Sequence, residues 1–338
     1  LQNMRAGNND WMQAREFQAE TYGYDKYLGG CHMIPNHAII ILSLLFGDDD
    51  LQKTLMIVNT AGHDTDCNSG NVGCIMGIKN GLEGLRNGPD YLTPIQDRMY
   101  CPTANGGETQ TDALTEAYKV INTAKRMNKE EIVEPKNGSR FHFEMPGSVQ
   151  GWRSSFKNNK NISTIVQNTE YESSIGKRAL EIKFDRVAPG VCSEAVVDTF
   201  FPQELYELTG SVRERFFQSY NFISCPLLYS GQNIESEIIF KSNSQKPITV
   251  TCFINVFGEE DNYERMNSES VLLFPDKSQK LKWKIPSTEG NPITQVGFSI
   301  ESDEANSGSL ILNYLTFTGE PNSKFHKPKH IGKHKRGV

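Results

Sequence analysis

The sequence lacks a hydrophobic run long enough to cross a lipid bilayer. The longest apolar run, residues 38–46, is interrupted only by Ser43 and reaches about half of the roughly 18 residues that a membrane span needs. We therefore expect this run to form a buried helix. The chain begins Leu-Gln-Asn-Met, without a basic segment followed by an apolar one. No targeting signal is visible, so we leave the localisation open, and the missing start leads us to expect a fragment.

The sequence also has no excess of positive charge, except at its C-terminal end. Residues 324–338 hold five Lys, one Arg and no acidic residue, and removing these six positive charges from the net charge of −6 leaves the rest at −12. That balance disfavours nucleic acid as a partner. Pro328 and Gly332 disfavour a helix that would align the three histidines of this segment, so we expect a disordered tail in preference to a metal site.

Paired cysteine motifs are absent. The seven cysteines include no Cys-x-x-Cys pair, and an odd number argues against a complete disulfide framework. We expect most of them to be buried thiols. Asn137-Gly-Ser and Asn161-Ile-Ser would accept N-glycans in a secreted protein, but such triplets do not decide the compartment.

Two hydrophobic periods divide the chain. Residues 10–125 follow helical spacing, whereas short strand-like runs separated by turn residues follow the polar stretch 128–139. We predict helices near 11–22, 36–46, 51–59 and 112–127. We predict strands at 140–145, 179–184, 195–201, 221–228, 234–240, 248–257, 281–285, 293–301 and 310–317. The predicted organisation is an all-α domain at 1–127, a linker at 128–139, an all-β jelly-roll sandwich at 140–320 and a basic tail at 321–338.

The clearest chemical signal is the pair Asp64 and Asp66, which follows the predicted helix 51–59. Two carboxylates one residue apart on a loop can both face one hard cation such as Mg²⁺, which prefers oxygen ligands. A helix predicted at 69–81 follows, and its N-terminus favours anions such as phosphate. The alternative is that Asp66 or Asn68 only caps that helix. These residues alone leave both interpretations open.

Glycines at 70, 73, 77 and 81 fall on one face of that predicted helix. Each interior glycine costs up to about 1 kcal/mol relative to alanine. Close approach of another helix or of a ligand would explain the stripe, and simple packing would explain it equally well.

Residues 61–68, Ala-Gly-His-Asp-Thr-Asp-Cys-Asn, resemble the C-terminal motif of the ADP-ribosylglycohydrolase family. The upstream segment from His32 to Asn36, with the apolar helix after it, is similar to the family segment that precedes this motif. Together the similar segments cover residues 10–127. The resemblance implies an all-α fold with two Mg²⁺ ions that hydrolyses ADP-ribosyl glycosidic bonds.

The resemblance also assigns roles to residues. Asp64 and Asp66 match the metal-binding carboxylates and would act in catalysis. Residues that would contact the ADP-ribosylated substrate are His63, Asn68, His32 and Asn36. For His63 a surface ring is the alternative, and for His32 and Asn36 capping or packing.

Two departures from the family pattern stand out. Cys67 occupies the place of a ligating threonine in many members, and a thiol is a soft, poor ligand for Mg²⁺. The family's N-terminal Thr-Asp-Asp motif does not occur in the 338 residues, so half of the metal ligands are expected from sequence outside them. The other acidic cluster, at 48–50, is expected to be a solvated helix cap.

The β-rich half offers a second possible activity. Trp152, Trp283 and the tyrosines at 220, 229, 263 and 314 could form a platform for sugar rings or could belong to the core. Runs 293–300 and 308–319 are similar to closing strands of galactose-binding-like jelly rolls. The main expectation is a Mg²⁺-dependent hydrolase of ADP-ribosyl bonds, truncated in this chain. The alternative is a non-catalytic glycan- or protein-binding protein with a degenerate hydrolase scaffold. Neither includes a membrane or nucleic-acid partner.

Overall fold

The structure, a computed structural model, describes residues 10–86, 88–101, 108–155, 164–201, 208–219, 224–258 and 263–322. Its contacts divide the chain into two compact units, Leu1–Asp90 and Tyr91–Val338. Within the described ranges, no helix is both long and apolar enough to cross a membrane.

The first unit is helical. Its helices are α1 (Trp11–Tyr22), α2 (Met33–Phe46), α3 (Leu51–Thr60), α4 (Thr65–Asn80) and the short α5 (Glu83–Arg86). The apolar run predicted to be a buried helix forms most of α2, and Ile39 packs with Val58 of α3 and Val72 of α4. Asp50 caps α3 as predicted, because its carboxylate accepts the backbone N–H of Lys53 at 2.6 Å.

Three details of this unit differ from the sequence predictions. α2 begins at Met33, so Asn36 lies inside the helix instead of capping it. α4 begins at Thr65, which places Asp66 in its first turn and not on a loop. Gly81 is the residue that ends α4: its φ is +61° and its N–H bonds to the Gly77 carbonyl, a conformation that glycine adopts without strain.

The second unit contains an antiparallel β-sandwich. Its strands are β1 (Arg98–Tyr100), β2 (Gln110–Asp112), β3 (Arg153–Ser154), β4 (Thr164–Ser173), β5 (Gly176–Val187), β6 (Ser193–Asp198), β7 (Asn233–Lys241), β8 (Ile248–Phe257), β9 (Tyr263–Asn267), β10 (Val271–Leu273), β11 (Ser278–Lys284), β12 (Ile293–Glu301) and β13 (Asn306–Thr318). Helices α6 (Ala113–Met127) and α7 (Gly210–Ser219) belong to the same unit.

Two sheets make the sandwich, and a shared apolar core lies between them. One sheet has the order β10-β8-β12-β6-β3 with β9 paired to β8, and the other has the order β11-β7-β13-β5-β4. Trp152 is 0% exposed in this core and stacks on Phe298 of β12, with ring centroids 5.9 Å apart. The sandwich predicted from the strand period is therefore present. Trp152 is a core residue and not part of a sugar platform.

Some predicted strands are missing and others were not anticipated. Residues 140–145 form only an isolated bridge, from Phe141 to Leu315. Predicted strand 221–228 shows no strand at 224–228, and its first three residues lie outside the described part. β4 was missed because it is rich in polar residues and pairs only with β5 at the sheet edge.

The boundary between the compact units also differs from the predicted linker at 128–139. The carboxylate of Asp97 accepts hydrogen bonds from Ser148 Oγ at 2.5 Å and from the backbone N–H groups of Val149 and Gln150 at 2.9 and 3.2 Å. Asp112 pairs with Arg140 at 2.6 Å. Asp97 and Asp112 are thus bonded to residues beside the sandwich strands, and α6 belongs to the second compact unit and not to the helical one.

The predicted linker is itself anchored by a buried lysine. Lys136 lies in the turn Pro135–Gly138, where its φ is +48°, and its side chain is 0% exposed. Its Nζ donates to the Asn313 carbonyl at 2.6 Å and to the Arg178 carbonyl, and it pairs with Glu144 at 3.1 Å. The polar composition of this stretch did not indicate burial, but the buried ammonium group is satisfied by four oxygen partners, the fourth being Asn313 Oδ1 at 2.9 Å.

The cysteine prediction is wrong for most positions. Cys192 and Cys252 are buried, whereas Cys31, Cys67, Cys74 and Cys225 are exposed and Cys101 is intermediate. All seven are free thiols. The tail from residue 323 onward and Tyr220 lie outside the described residues.

Candidate functional site

Asp64 lies at the turn between α3 and α4, and neighbouring side chains hold this turn. Arg15 of α1 donates from Nε to the Ala61 carbonyl at 2.8 Å. Asn68 donates from Nδ2 to the His63 carbonyl at 2.7 Å. Asp64 has a φ of +45°, which is uncommon for a residue other than glycine and is tolerated best by Asn and Asp. The turn is therefore fixed in one conformation from α1 and α4.

Asp64, Asp66 and Cys67 converge at the start of α4. One potential ligand atom from each lies within 4.8 Å of the other two. Asp66 and Cys67 are exposed, and Asp64 is half-buried. Asp64 does not cap the helix with its side chain, so its carboxylate is available to other partners. The predicted carboxylate pair is brought together in space, and its use as a metal site stays a prediction.

Asn36 reaches the Asp64 carboxylate from α2. Its Nδ2 donates to Asp64 Oδ2 at 2.6 Å, and its Oδ1 accepts a hydrogen bond from the Tyr24 hydroxyl. Asn36 is only 9% exposed. The side chains of Tyr24, Asn36 and Asp64 therefore form a continuous hydrogen-bonded chain, in which Asn36 bonds to a carboxylate rather than capping a helix.

The two histidines of the predicted site pack around the same tyrosine. The Tyr24 and His63 rings are stacked, with centroids 4.7 Å apart and an interplanar angle of 27°. His32 meets the Tyr24 ring edge-on at 5.0 Å. Burial lowers the pKa of His63, and the positive charge of Arg15 lowers it further, so this ring is neutral at pH 7. Both imidazole rings therefore pack against the Tyr24 ring.

Asn68, predicted to contact the substrate, is buried and not on the surface. It is 1% exposed, and its Nδ2 donates to the His63 carbonyl of the turn. Sequence reasoning did not single out Tyr24 or Arg15, because neither lies in the similar motif. Their partners are 12 and 46 residues away along the chain, and no local pattern indicates such pairings.

The donor atoms fit Mg²⁺ in part. The carboxylate oxygens of Asp64 and Asp66 are the hard ligands that this cation prefers, and Mg²⁺ takes about six ligands in octahedral geometry, several of them water. The Cys67 thiol does not fit this role. Its pKa is raised, first by its hydrogen bond to Asp64 and then by the charges of Asp64 and Asp66, so it stays protonated.

The glycine stripe of α4 has no close neighbour among the described residues. A Cβ added at Gly70 or Gly77 would have nothing within 4 Å, and one at Gly73 would meet only Leu55 Cδ2 at 3.8 Å. Ile78, next to Gly77, is 83% exposed. Packing within this unit therefore does not explain the glycines.

The sandwich carries a second group of side chains on its surface. Tyr314 of β13 lies opposite Glu237 of β7 in the sheet register, on the outer face of the five-stranded sheet. Tyr171 of β4 packs on Ile239 and Ile311 of the same face. Burial raises the pKa of both tyrosines, and the charge of Glu237 raises both further. Glu237 therefore lies near both phenol rings, which are partly exposed.

Comparisons with known proteins show only that part of this fold is similar to solved structures. No family model and no curated protein matches the chain. Among solved structures, a carbohydrate-binding module from the β-sandwich superfamily is 12% identical with a TM-score of 0.38, over 54% of this chain and 62% of that structure. The CBM22-1 xylan-binding domain of Paenibacillus barcinonensis is 12% identical with a TM-score of 0.34, over 52% of this chain and 90% of the domain.

A third similar structure is a carbohydrate-binding module, CBM28, that is specific for non-crystalline cellulose. It is 10% identical with a TM-score of 0.37, over 56% of this chain and 95% of that one. The chain spans less than two thirds of the first of these structures. At such low identities and TM-scores the three structures are β-sandwich proteins to which part of this chain is similar, and they assign no ligand to it.

Proposed function

We propose that the helical unit contributes a divalent-cation site to the hydrolysis of ADP-ribosyl glycosidic bonds, with Mg²⁺ as the ion. The observation that carries the proposal is the convergence of Asp64 and Asp66, with ligand atoms within 4.8 Å, in a segment that resembles the metal-binding motif of ADP-ribosylglycohydrolases. A bound cation would orient ribose hydroxyls and lower the pKa of a bound water.

The residues of this chain have separate tasks in the proposal. Asp64 and Asp66 provide hard oxygen ligands at the rim of α4, and Asn36 holds one oxygen of Asp64. Arg15 and Asn68 hold the turn that presents the carboxylates. Two carboxylates cannot complete the octahedral coordination of a pair of Mg²⁺ ions, so water and further residues have to supply the other ligands.

Release of ADP-ribose from an ADP-ribosylated peptide tests this function in the protein. We expect Asp64→Asn and Asp66→Asn each to lower the rate by about 100-fold or more, because a lost ligand removes several kcal/mol of transition-state stabilisation. Asp49→Asn is the matched control: Asp49 is an exposed acid of the same unit that pairs with Lys79. Unchanged release by both site variants would refute the proposal.

Glycan binding by the sandwich is a second candidate function. The observation that favours it is the outer-face patch of Tyr171, Tyr314 and Glu237, because partly exposed aromatic rings pack on sugar rings while a nearby carboxylate accepts from sugar hydroxyls. Glu237 is held in place by Asn313 Nδ2, which donates to its Oε2 at 2.6 Å.

A glycan array followed by calorimetry with the best-binding oligosaccharide tests the second candidate. We expect Tyr171→Ala and Tyr314→Ala each to weaken binding by about tenfold, which corresponds to the 1–1.5 kcal/mol of a stacked aromatic contact. Tyr22→Ala, an exposed tyrosine of the helical unit, should leave binding unchanged. An array without any bound glycan, or equal binding by all variants, would contradict this function.

A further inference from the structure

We infer that Tyr24 is a positioning residue for the Asp64 carboxylate, and that it acts by fixing the orientation of the Asn36 amide. The inference rests on the proposed function, because it concerns the carboxylate that would hold the cation. It assigns a role to a residue outside the motif similar to ADP-ribosylglycohydrolases.

The chemistry of asparagine makes this control necessary. The Asn36 side chain has nearly the same shape in its two flipped orientations, but one end donates hydrogen bonds and the other accepts them. The Asp64 carboxylate accepts only, so a flip would turn Asn36 Oδ1 towards a negatively charged oxygen. The bond from Asn36 Nδ2 to Asp64 Oδ2, at 2.6 Å, therefore requires the orientation in which Oδ1 faces Tyr24.

The Tyr24 hydroxyl stabilises that orientation by donating to Asn36 Oδ1. A phenol is protonated at neutral pH, and burial together with the charge of Asp64 raises the pKa of Tyr24. The hydroxyl therefore keeps its proton at neutral pH and can donate to Oδ1. This bond stabilises the orientation of Asn36 that the Asp64 carboxylate requires, and it anchors the amide that holds Asp64 Oδ2.

The Tyr24 ring is held so that its hydroxyl stays in place. His63 stacks on one face and His32 meets the ring edge-on. Nε2 of each of these imidazoles is buried and has no hydrogen-bond partner among the described residues. Their contacts with the Tyr24 ring are therefore packing contacts.

This arrangement prepares Asp64 for a cation before one binds. With Oδ2 bonded to Asn36, the carboxylate has a defined rotamer, and less freedom remains to be lost when a ligand binds. The backbone of Asp64 is fixed as well, since the Asn68 N–H donates to its carbonyl at 3.0 Å. Removing the Tyr24 hydroxyl should loosen only the side chain.

The test compares Tyr24→Phe with Tyr27→Phe in the full chain. Phenylalanine at position 24 keeps the ring contacts and removes only the hydroxyl. Tyr27 is the matched control because it is 54% exposed and also meets the His32 ring edge-on. Two readouts are needed: the ¹⁵N side-chain amide resonances of Asn36 without metal, and the affinity for Mg²⁺ by calorimetry.

We expect Tyr24→Phe to shift and broaden the Asn36 amide resonances and to weaken Mg²⁺ affinity by about three- to tenfold, the effect of one lost hydrogen bond. Tyr27→Phe should change neither readout. Unchanged Asn36 resonances in Tyr24→Phe would overturn the inference. If the native protein binds no Mg²⁺, the proposed function fails, whereas the Asn36 resonances still decide whether Tyr24 positions the amide.

Discussion

Lowering the pH from 7.5 to 4.5 should destabilise the sandwich through one buried histidine. His142 is 5% exposed, and its Nδ1 accepts the backbone N–H of Glu144 at 3.1 Å. The Tyr118 ring packs edge-on against it, with centroids 5.2 Å apart. A proton on Nδ1 would break the hydrogen bond and place a charge in this buried position. Burial accordingly lowers the pKa of His142 to about 4.

The size of the effect follows from the difference between the folded and unfolded pKa values. The unfolded chain takes up this proton near pH 6.5, whereas the folded chain resists it until about pH 4. The stability associated with the neutral imidazole is therefore complete above pH 6.5 and is lost as the pH falls towards 4. Linkage gives a loss of about 2–3 kcal/mol in the free energy of unfolding at pH 4.5.

Urea unfolding followed by tryptophan fluorescence measures this loss. Of the three tryptophans, Trp152 and Trp283 lie in the sandwich, so a Trp11→Phe background makes the signal report on that unit. His142→Asn is the matched variant, because an amide oxygen can accept the Glu144 N–H and does not titrate in this range. Carboxylates contribute equally to both proteins. The same pH dependence with and without His142 would refute the reasoning.

Three further changes probe packing and domain organisation. Gly297→Ala should lower the free energy of unfolding by about 1–3 kcal/mol in the same urea assay, because its Cβ would lie 2.4 Å from Phe253 Cζ and 2.7 Å from the Ala195 carbonyl oxygen; an unchanged midpoint would show that this close contact is absent. Gly70→Ala should stabilise α4 by up to about 1 kcal/mol, since nothing among the described residues lies within 4 Å of the added methyl group, and a destabilised helical unit would reveal a partner packed on the stripe. A fragment of residues 91–322 should melt cooperatively with strand-type circular dichroism, whereas residues 140–322 should melt earlier because they lack Asp97 and Asp112; equal melting temperatures would contradict the assigned boundary.

The predictable part of the fold is the part in which local pattern and burial agree. β8 and β12 match their predicted ranges at both ends, because their apolar residues are continuous or alternate cleanly between turn residues. β4 could not be predicted in the same way. Its polar residues are paired through β5, and pairing across a sheet leaves no trace in the local sequence.

The site was predictable only as far as one motif extends. The motif placed Asp64 and Asp66 together, and the structure brings their ligand atoms within 4.8 Å. The contacts that orient Asp64 come from Tyr24, in the turn after α1, and from Asn36 of α2, both of which precede the motif. Such contacts depend on how α2 and the turn before it are placed relative to the start of α4, which hydrophobic periodicity does not specify. The domain boundary was misplaced for a related reason, because a buried Lys136 looks like a solvated residue in a sequence.

Titration of the ¹⁵N-labelled chain with Mn²⁺ tests cation binding at Asp64 and Asp66 most directly. Mn²⁺ prefers oxygen ligands as Mg²⁺ does, and its unpaired electrons broaden nearby amide signals. The expected result is that the amides of residues 65–68 broaden first, that Mg²⁺ reverses the broadening, and that Asp64→Asn or Asp66→Asn abolishes it. Broadening that is centred on the acidic residues 48–50 instead, or that persists in both variants, would contradict a metal site at this turn.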